Sequence, residues 1–554
     1  MTLSALFYQG CDYILHTSTL GQFVNILRYR KFSIEGGKMS GSKNNFNRKI
    51  RFILNTIIVC GVPLFICLAF GIASSESQDY WPTAAWRTSS PESQGINSEV
   101  LVDMLSRLAL YPNTIDSVTI IRNGYIVLDA YFYPFKKDKA HIIHSCTKSI
   151  TSTLIGIAID KGLIKDVHQR LLGFFPETTP ANLTKDKENI SLENILTMAT
   201  GLECRDTYKD RWQGLRKMWQ SSDWTQYMLD LSMNEPPGQN FEYCNGATYL
   251  LSAIIQKTTG MRSYKFAMKN LFTPIGITNV KWEPNPQGID VGYGRMWLKP
   301  HDMARFGLLF LNKGKWQGNT IVSEEWVTES TRGYLAATLF DQYGYQWWVD
   351  EAGYYAAAGY GGQRIFVIPK HNMVVVFTSF KAFRKPDTLI VHYIIRAIES
   401  DSPLPENTTA NTQLNELVEK YSKSPQAFSV PDLPPISQII SGVKYNIEPN
   451  EIGFENISFD FVLKDSVAIM EYSLKGKEYS VEVGLDGVYR TTELPEETVA
   501  FKGDWLYDDT FMFSYINVGH TEGTSSEIKF MGENAEISTI GPYGDRLRLK
   551  AVRD

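Results

Sequence analysis

A serine and a lysine one helical turn apart, Ser145-Cys146-Thr147-Lys148, open the run His141 to Gly162, HIIHSCTKSITSTLIGIAIDKG. Such a pair is enough for nucleophilic catalysis without histidine. A hydroxyl attacks well only when a base takes its proton, and a lysine can be that base once burial has lowered its proton affinity. A helix that begins near Ser145 puts both side chains on one face. It also leaves the serine among the unpaired N–H groups of the helix's positive end, where a developing oxyanion finds donors. Ile150, Leu154, Ile157 and Ala158 recur at helical spacing and Gly162 supplies a stop, so the spacing predicts a central, buried helix. The pattern S-x-x-K also occurs at Ser40, Ser441 and Ser526, and the plain alternative is a serine N-cap followed by a solvated lysine. Of the four, Ser145 alone leads a long apolar helix.

Elements on both sides must hold this helix. Asn97 to Leu110 carries a helical apolar pattern, and SVTIIRNGYIVLDAYF reads as two strands around a tight Asn123-Gly124 turn. Helix patterns follow at Glu193–Thr200, Trp224–Leu231, Tyr249–Thr259 (ending at Gly260) and Pro300–Asn312. Strand character returns at Tyr343–Val349, Arg364–Ile368 and Met373–Phe380, and Lys381–Glu399 reads as a closing helix. Strands early and late with helices between them predict an α+β domain over residues 80–400, one antiparallel sheet built from both ends around a helical insertion. Residues 401–435, rich in Pro, Ser, Asn and Thr, read as a linker. Residues 436–554 read as a second, antiparallel β domain, barrel-like or lipocalin-like, because ISFDFVL, VAIMEYSL, YSVEVGL, TFMFSYI and RLRLKAV alternate apolar and polar positions. No constellation in that domain demands chemistry.

Two further motifs follow the serine in order. One is Tyr243-Cys244-Asn245, in a loop that ends at the start of a helix. The other is Ala357-Ala358-Gly359-Tyr360-Gly361-Gly362-Gln363, which leads into the strand RIFVIP. Y-x-N alone is weak, since it recurs at Tyr111 and Tyr515. Together, with ISLENILTMATGLE and GYGRMWLKPHDMARFGLLFLNKGKW as supporting stretches, the three motifs resemble the class C β-lactamase-related serine hydrolases of the penicillin-binding protein superfamily, over about residues 80–400. The resemblance implies that Ser145 is the acylated nucleophile, Lys148 its base and Tyr243 the proton shuttle. It implies that Asn245 hydrogen-bonds the lysine or the substrate, and that the backbone N–H groups of Ser145 and Tyr360, after Gly359, form the oxyanion hole. Members that act on β-lactams or D-alanyl peptides carry Lys or His where this chain has Ala357. That departure points to the esterase and 6-aminohexanoate-dimer hydrolase-like branch, and to a small ester or amide substrate. Gln363 and Arg364 either supply polar contacts to the substrate or simply end a strand facing solvent. The competing readings are β-lactamase or D-alanyl peptidase activity, and a catalytically silent sensor of the same fold.

Composition narrows the rest. A net charge of −5 over 554 residues argues against nucleic acid as a partner. G-x-S-x-G is absent, the eight histidines show no supporting context, and no Cys or His spacing suits a metal, so no cofactor is expected. His141 and His144, just before the serine, read as residues shaping the site rather than as bases. Phe52 to Ala73 is a 22-residue uncharged run preceded by Lys38, Lys43, Arg48, Lys49 and Arg51. By the positive-inside bias, residues 1–51 are cytoplasmic, 52–73 are a membrane anchor or a cleaved signal, and the remainder is exported. Met39 is an alternative start. Among the exported cysteines, Cys146, Cys204 and Cys244, the expected disulfide is Cys204–Cys244, because in the resembled fold the loop before Cys204 runs near the active site; three free thiols are the alternative.

Overall fold

The computed structural model describes residues 80–554 apart from 109, 111–113, 207–209, 211, 462–465 and 541–545. The segments 1–51 and 52–73 lie outside the described residues; among the described residues no helix is long and apolar enough to cross a membrane. Helix α1 (Ser98–Leu108) buries Leu101, Met104, Leu105 and Leu108 at helical spacing. Strands β1 (Ile115–Arg122) and β2 (Tyr125–Tyr131) form the expected hairpin. Its turn residues Asn123 and Gly124 have φ of 52° and 79°, the left-handed pair that a two-residue hairpin turn requires. Helices α2 (Cys146–Asp160), α3 (Asn245–Thr259) and α4 (Pro300–Leu311) follow.

Strands β3 (Tyr355–Gly359), β4 (Gln363–Ile368) and β5 (Met373–Ser379) then run antiparallel. β5 pairs with β1 from Met373↔Arg122 to Ser379↔Ile115, so the two ends of the domain meet in the middle of a nine-stranded sheet. Every residue of β1, β3, β4 and β5 is buried, which means helices cover both faces. α4 lies on this sheet through Gly307, where a Cβ would sit 2.6 Å from Val374.

Three expectations need correction. Tyr343–Val349 is not one strand but two short ones, Gln342–Tyr343 and Trp348–Val349, broken at Gln346, whose φ is 65°. The Gln346 side chain turns inward, donating to the carbonyls of Ile195 and Leu196 and accepting from Thr248. The closing helix is shorter than expected: Lys385–Leu389 is α-helical and Ile390–Ile395 widens into a π-helix. Residues 401–435 contain helix α5 (Thr408–Ser422), capped by Asn407 accepting from Ala410 N–H. Ala410, Leu414, Leu417, Val418 and Tyr421 follow a helical stripe onto the core of the first domain, and α5 lies against α1 and β2.

Among its described residues the C-terminal part has ten strands: β6 (Lys444–Ile447), β7 (Phe454–Asp460), β8 (Val467–Leu474), β9 (Lys477–Gly484), β10 (Arg490–Glu493), β11 (Thr498–Tyr507), β12 (Thr510–Asn517), β13 (Gly523–Met531), β14 (Asn534–Ile540) and β15 (Arg546–Arg553). Consecutive strands pair antiparallel in a meander, except that β9 and β10 do not pair with each other, and β6 pairs with β15. The parallel pairing of β9 with β11, Val483↔Phe501, closes the barrel. Phe459, Phe501, Phe511, Phe513 and Phe530 are buried with Val481, Ile528 and Ile537, so side chains fill the interior.

Candidate functional site

Ser145 stands immediately before the first residue of α2, with φ −69° and ψ −7°, and its side chain makes no capping bond. The hydroxyl is therefore free for something other than ending a helix. One turn on, Lys148 is 1% exposed, so it is not the solvated lysine of the plain reading. Its Nζ lies 3.1 Å from Ser145 Oγ, 2.7 Å from Asn245 Oδ1 and 3.3 Å from the carbonyl of Tyr293. Nζ also sits 4.8 Å from the centre of the Tyr243 ring. Burial pushes the lysine well below its ordinary value, and the Asp206 carboxylate pulls partly back.

The Tyr243-Cys244-Asn245 loop ends where α3 begins, and Cys244 is its N-cap. Asn245 is the first residue of α3, so its backbone N–H is unpaired within the helix; it donates to Asp206 Oδ2 at 2.8 Å. Cys204 and Cys244 form a disulfide, which fixes the Asp206 segment beside this loop. Tyr243 stacks on Trp348, with ring centres 6.0 Å apart and planes 20° from parallel. Burial raises its phenol above the ordinary value, while a side-chain hydrogen bond with Ser145 acts the other way. Ser145, Lys148, Tyr243 and Asn245, taken from two distant parts of the sequence, thus meet around one lysine nitrogen.

The third motif borders them. A Cβ on Gly359 would stand 2.3 Å from the carbonyl of Ile143, so only glycine lets the end of β3 approach the turn that carries Ser145. Tyr360 follows at the rim, 49% exposed, its ring edge-on to His144 at 5.6 Å. Ala357 is fully buried, so no cation stands at that position. Gln363 and Arg364 do not face solvent, which corrects that expectation, and the polar atoms of both are engaged within the protein. Fully buried Gln363 donates to the carbonyls of Ser379 and Tyr360 and accepts from Ser379 N–H. Arg364 makes a two-pronged ion pair with Asp387 and also donates to Gly359 O. Both side chains tie strand ends together.

Several residues here escaped the sequence reading. Asp206 is buried, its pKa pushed up to about 6 by loss of water and held back by the Asn245 N–H and Lys148. Tyr293 lends its carbonyl to Lys148, and its hydroxyl accepts from Trp219 Nε1 at 2.7 Å. CRD and GYGRMW, which contain them, carried only the faint signal of a lone acid and a lone aromatic in loops. Cys146, adjacent to Ser145, is buried with its thiol donating to the carbonyls of Ala357 and Gln363, and burial pushes it up to about 12. It is no competing nucleophile at neutral pH. His141 is committed to Asp116 Oδ2 at 2.9 Å and His144 to Thr521 at 2.7 Å. Among the described residues no group of three His, Cys, Asp or Glu side chains could hold a metal ion.

A 6-aminohexanoate-dimer hydrolase of Paenarthrobacter ureafaciens is 23% identical over 297 residues, spanning 49% of this chain and 74% of that relative. Among solved structures, a family VIII carboxylesterase matches at 16% identity and a TM-score of 0.41, covering 60% of this chain and 98% of the other. The octameric penicillin-binding protein homologue from Pyrococcus abyssi matches at 15% identity and a TM-score of 0.44, covering 82% of this chain and 99% of that one. The family model described as Beta-lactamase matches residues 116–398. That match runs from β1 to the end of the closing helix and takes in all three motifs, just over half of the 554 residues: the chain belongs to the beta-lactamase family of serine hydrolases.

Proposed function

We propose that this protein cleaves a small ester or amide through an acyl-serine intermediate, with Ser145, Lys148 and Tyr243 acting as one unit. The observation that carries this reading is the 3.1 Å approach of Lys148 Nζ to Ser145 Oγ, made by a lysine whose burial holds its proton affinity well below the ordinary value. Lys148 takes the Ser145 proton as Oγ attacks the carbonyl carbon, and the oxyanion is held by the N–H groups of Ser145 and Tyr360. Tyr243 carries the proton on to the leaving group. A water then attacks the acyl group by the reverse of that route and frees the serine. Asn245 keeps the lysine aimed, because its Oδ1 accepts from Nζ at 2.7 Å.

Ala357 bears on the substrate. A carboxylate needs a fixed cation at that edge of the site, and a buried alanine offers none, so neutral esters and amides are favoured over β-lactams and D-alanyl peptides. The rim beside it is aromatic, with Tyr360 and Phe383 meeting edge to face at 5.5 Å. We also propose that the catalytic domain is exported. The basic residues ahead of 52–73 and the Cys204–Cys244 bridge both favour an oxidising compartment outside the cytoplasm.

The test is a panel of p-nitrophenyl esters, linear amides and nitrocefin run with parental protein and Ser145→Ala. The expected result is turnover of esters or amides by the parental protein that Ser145→Ala loses while keeping its circular dichroism. Turnover that survives in Ser145→Ala overturns the assignment of the nucleophile. No turnover of any member, with no labelling of Ser145 by a fluorophosphonate, favours the silent sensor.

A further inference from the structure

One barrel turn reaches the site. Val518 to Glu522, between β12 and β13, lies along the residues that lead into Ser145. Gly519 O accepts from Ile142 N–H at 2.7 Å, tying the short strand His141–Ile142 to the barrel backbone. The approach is close enough that a Cβ on Gly519 would meet the Ala140 carbonyl at 2.5 Å, and its φ of 88° also calls for glycine. His520 Nε2 accepts from Trp297 Nε1 at 3.2 Å, and Trp297 pairs with Ile142. Thr521 Oγ1 bonds His144 Nε2 at 2.7 Å.

Thr521 touches both walls of the site at once. Its hydroxyl holds His144, the residue before the nucleophile, whose φ of 45° is a conformation that side-chain-bearing residues seldom adopt. Its methyl occupies the space beside Gly361, where a Cβ would stand 2.5 Å from Thr521 Cγ2. Gly361 follows Tyr360, whose ring is packed edge-on to His144. The two backbone N–H groups assigned to the oxyanion hole, at Ser145 and Tyr360, therefore each adjoin a residue that Thr521 contacts. Thr521 is 7% exposed and Lys381 Nζ clamps the end of the turn by donating to Gly523 O at 2.9 Å.

We propose that Thr521 is a positioning residue for the serine hydrolase site, and that the C-terminal barrel thereby completes the site rather than merely following it. The inference rests on the reading of Ser145 as nucleophile. Thr521 touches no reacting atom; it fixes the strained His144 turn against the end of β3, so that the two oxyanion donors keep their spacing. A displacement of about an ångström there is enough to slow acylation without weakening substrate binding.

The test uses the full chain with Thr521→Val, which keeps the shape and removes the hydroxyl, and Thr521→Ser, which keeps the hydroxyl. Thr521→Ala replaces the valine variant if that one fails to fold. Three quantities are measured on folded protein: the rate of fluorophosphonate labelling at Ser145, kcat and KM for a p-nitrophenyl ester, and Tm. The expected result for Thr521→Val is a fall of about tenfold in kcat and labelling rate with KM within twofold, and recovery of most of that rate in Thr521→Ser. Labelling and kcat at the parental level in Thr521→Val overturn the inference. So does an equal loss in the valine and serine variants, which would make the role one of packing. A label found on a residue other than Ser145 in the parental protein overturns the site reading and this inference with it, whereas a Ser145 label indifferent to Thr521 overturns this inference alone.

Discussion

Removing the Cys204–Cys244 bridge should loosen both the fold and the catalytic loop. The bridge joins cysteines 40 residues apart, and closing a loop of that length removes unfolded-state entropy worth about 4 kcal/mol at 25 °C on the chain-entropy model. A domain of about 320 residues unfolds with an entropy of roughly 0.7 kcal/mol/K, so that loss lowers its Tm by about 6 °C. Cys204 and Cys244 are 3% and 1% exposed, which makes the double substitution Cys204→Ala, Cys244→Ala a cleaner perturbation than added reductant. Activity should fall as well. Cys244 lies between Tyr243 and Asn245, and Cys204 is two residues from Asp206, the acceptor for Asn245 N–H. Without the bridge, only hydrogen bonds such as that one and the Arg205 N–H bond to the Glu242 carboxylate hold the two loops in register, so kcat should drop several-fold below the melting range. The assay is thermal unfolding by circular dichroism beside ester turnover at 25 °C. Residues 76–554 contain three cysteines, so thiol titration of that unreduced, unfolded polypeptide should find one. Three titratable thiols would mean that no bridge forms, and a Tm change under about 1 °C with unchanged kcat would mean that the bridge supports neither fold nor loop.

Other expected outcomes follow from the same geometry. Lys148→Ala and Tyr243→Phe should each lower kcat by about a thousandfold or more in ester turnover, since groups acting as a unit fail together. Asp206→Asn keeps an acceptor for Asn245 N–H but removes the charge that favours protonated Lys148, so the acidic limb of the kcat/KM profile should move to lower pH. The same variant should be more stable at pH 7 by up to about 3 kcal/mol in denaturant unfolding, because a carboxyl raised to about 6 is stabilised folded only as its acid. His144 and His520 are held neutral by burial, at about 3 and about 4 against an ordinary 6.5. The unfolded chain therefore takes up their protons first, and stability, complete above about pH 6.5, should fall as pH drops from 6.5 toward 4 in a Tm series. Nitrocefin turnover should be far slower than p-nitrophenyl ester turnover, given the fully buried Ala357.

Local periodicity and spacing carried much of the fold. The Asn123-Gly124 hairpin, the helix after Ser145 and the alternating strands beyond 436 each have a signal within a dozen residues. Interruptions were harder to see. Gln346 breaks an apolar stretch that looks like one strand, because its bonds to Ile195, Leu196 and Thr248 offset the left-handed backbone. Thr408–Ser422 was hidden by Asn and Thr, although Leu414, Leu417, Val418 and Tyr421 hold helical spacing.

The site divides in the same way. Ser145, Lys148, Tyr243 and Asn245 stand in recognisable order in the sequence, and the fold brings them together. Asp206, Tyr293 and Thr521 act through contacts 58, 145 and 377 residues away in sequence or less, which no local pattern encodes. Gln363 and Arg364 show the reverse. Polar residues beside a motif read as strand ends facing solvent, yet both are buried, and Gln363 and Ser379 at the ends of β4 and β5 bond each other.

Acylation of Ser145 becomes visible when the reaction with a p-nitrophenyl ester is acid-quenched within the first turnover and the added acyl mass is mapped by peptide sequencing in a mass spectrometer. One acyl group is expected on the peptide carrying Ser145-Cys146-Thr147-Lys148, at that serine, and none in Ser145→Ala. An acyl group on any other residue, or full turnover by Ser145→Ala, would contradict acylation of Ser145.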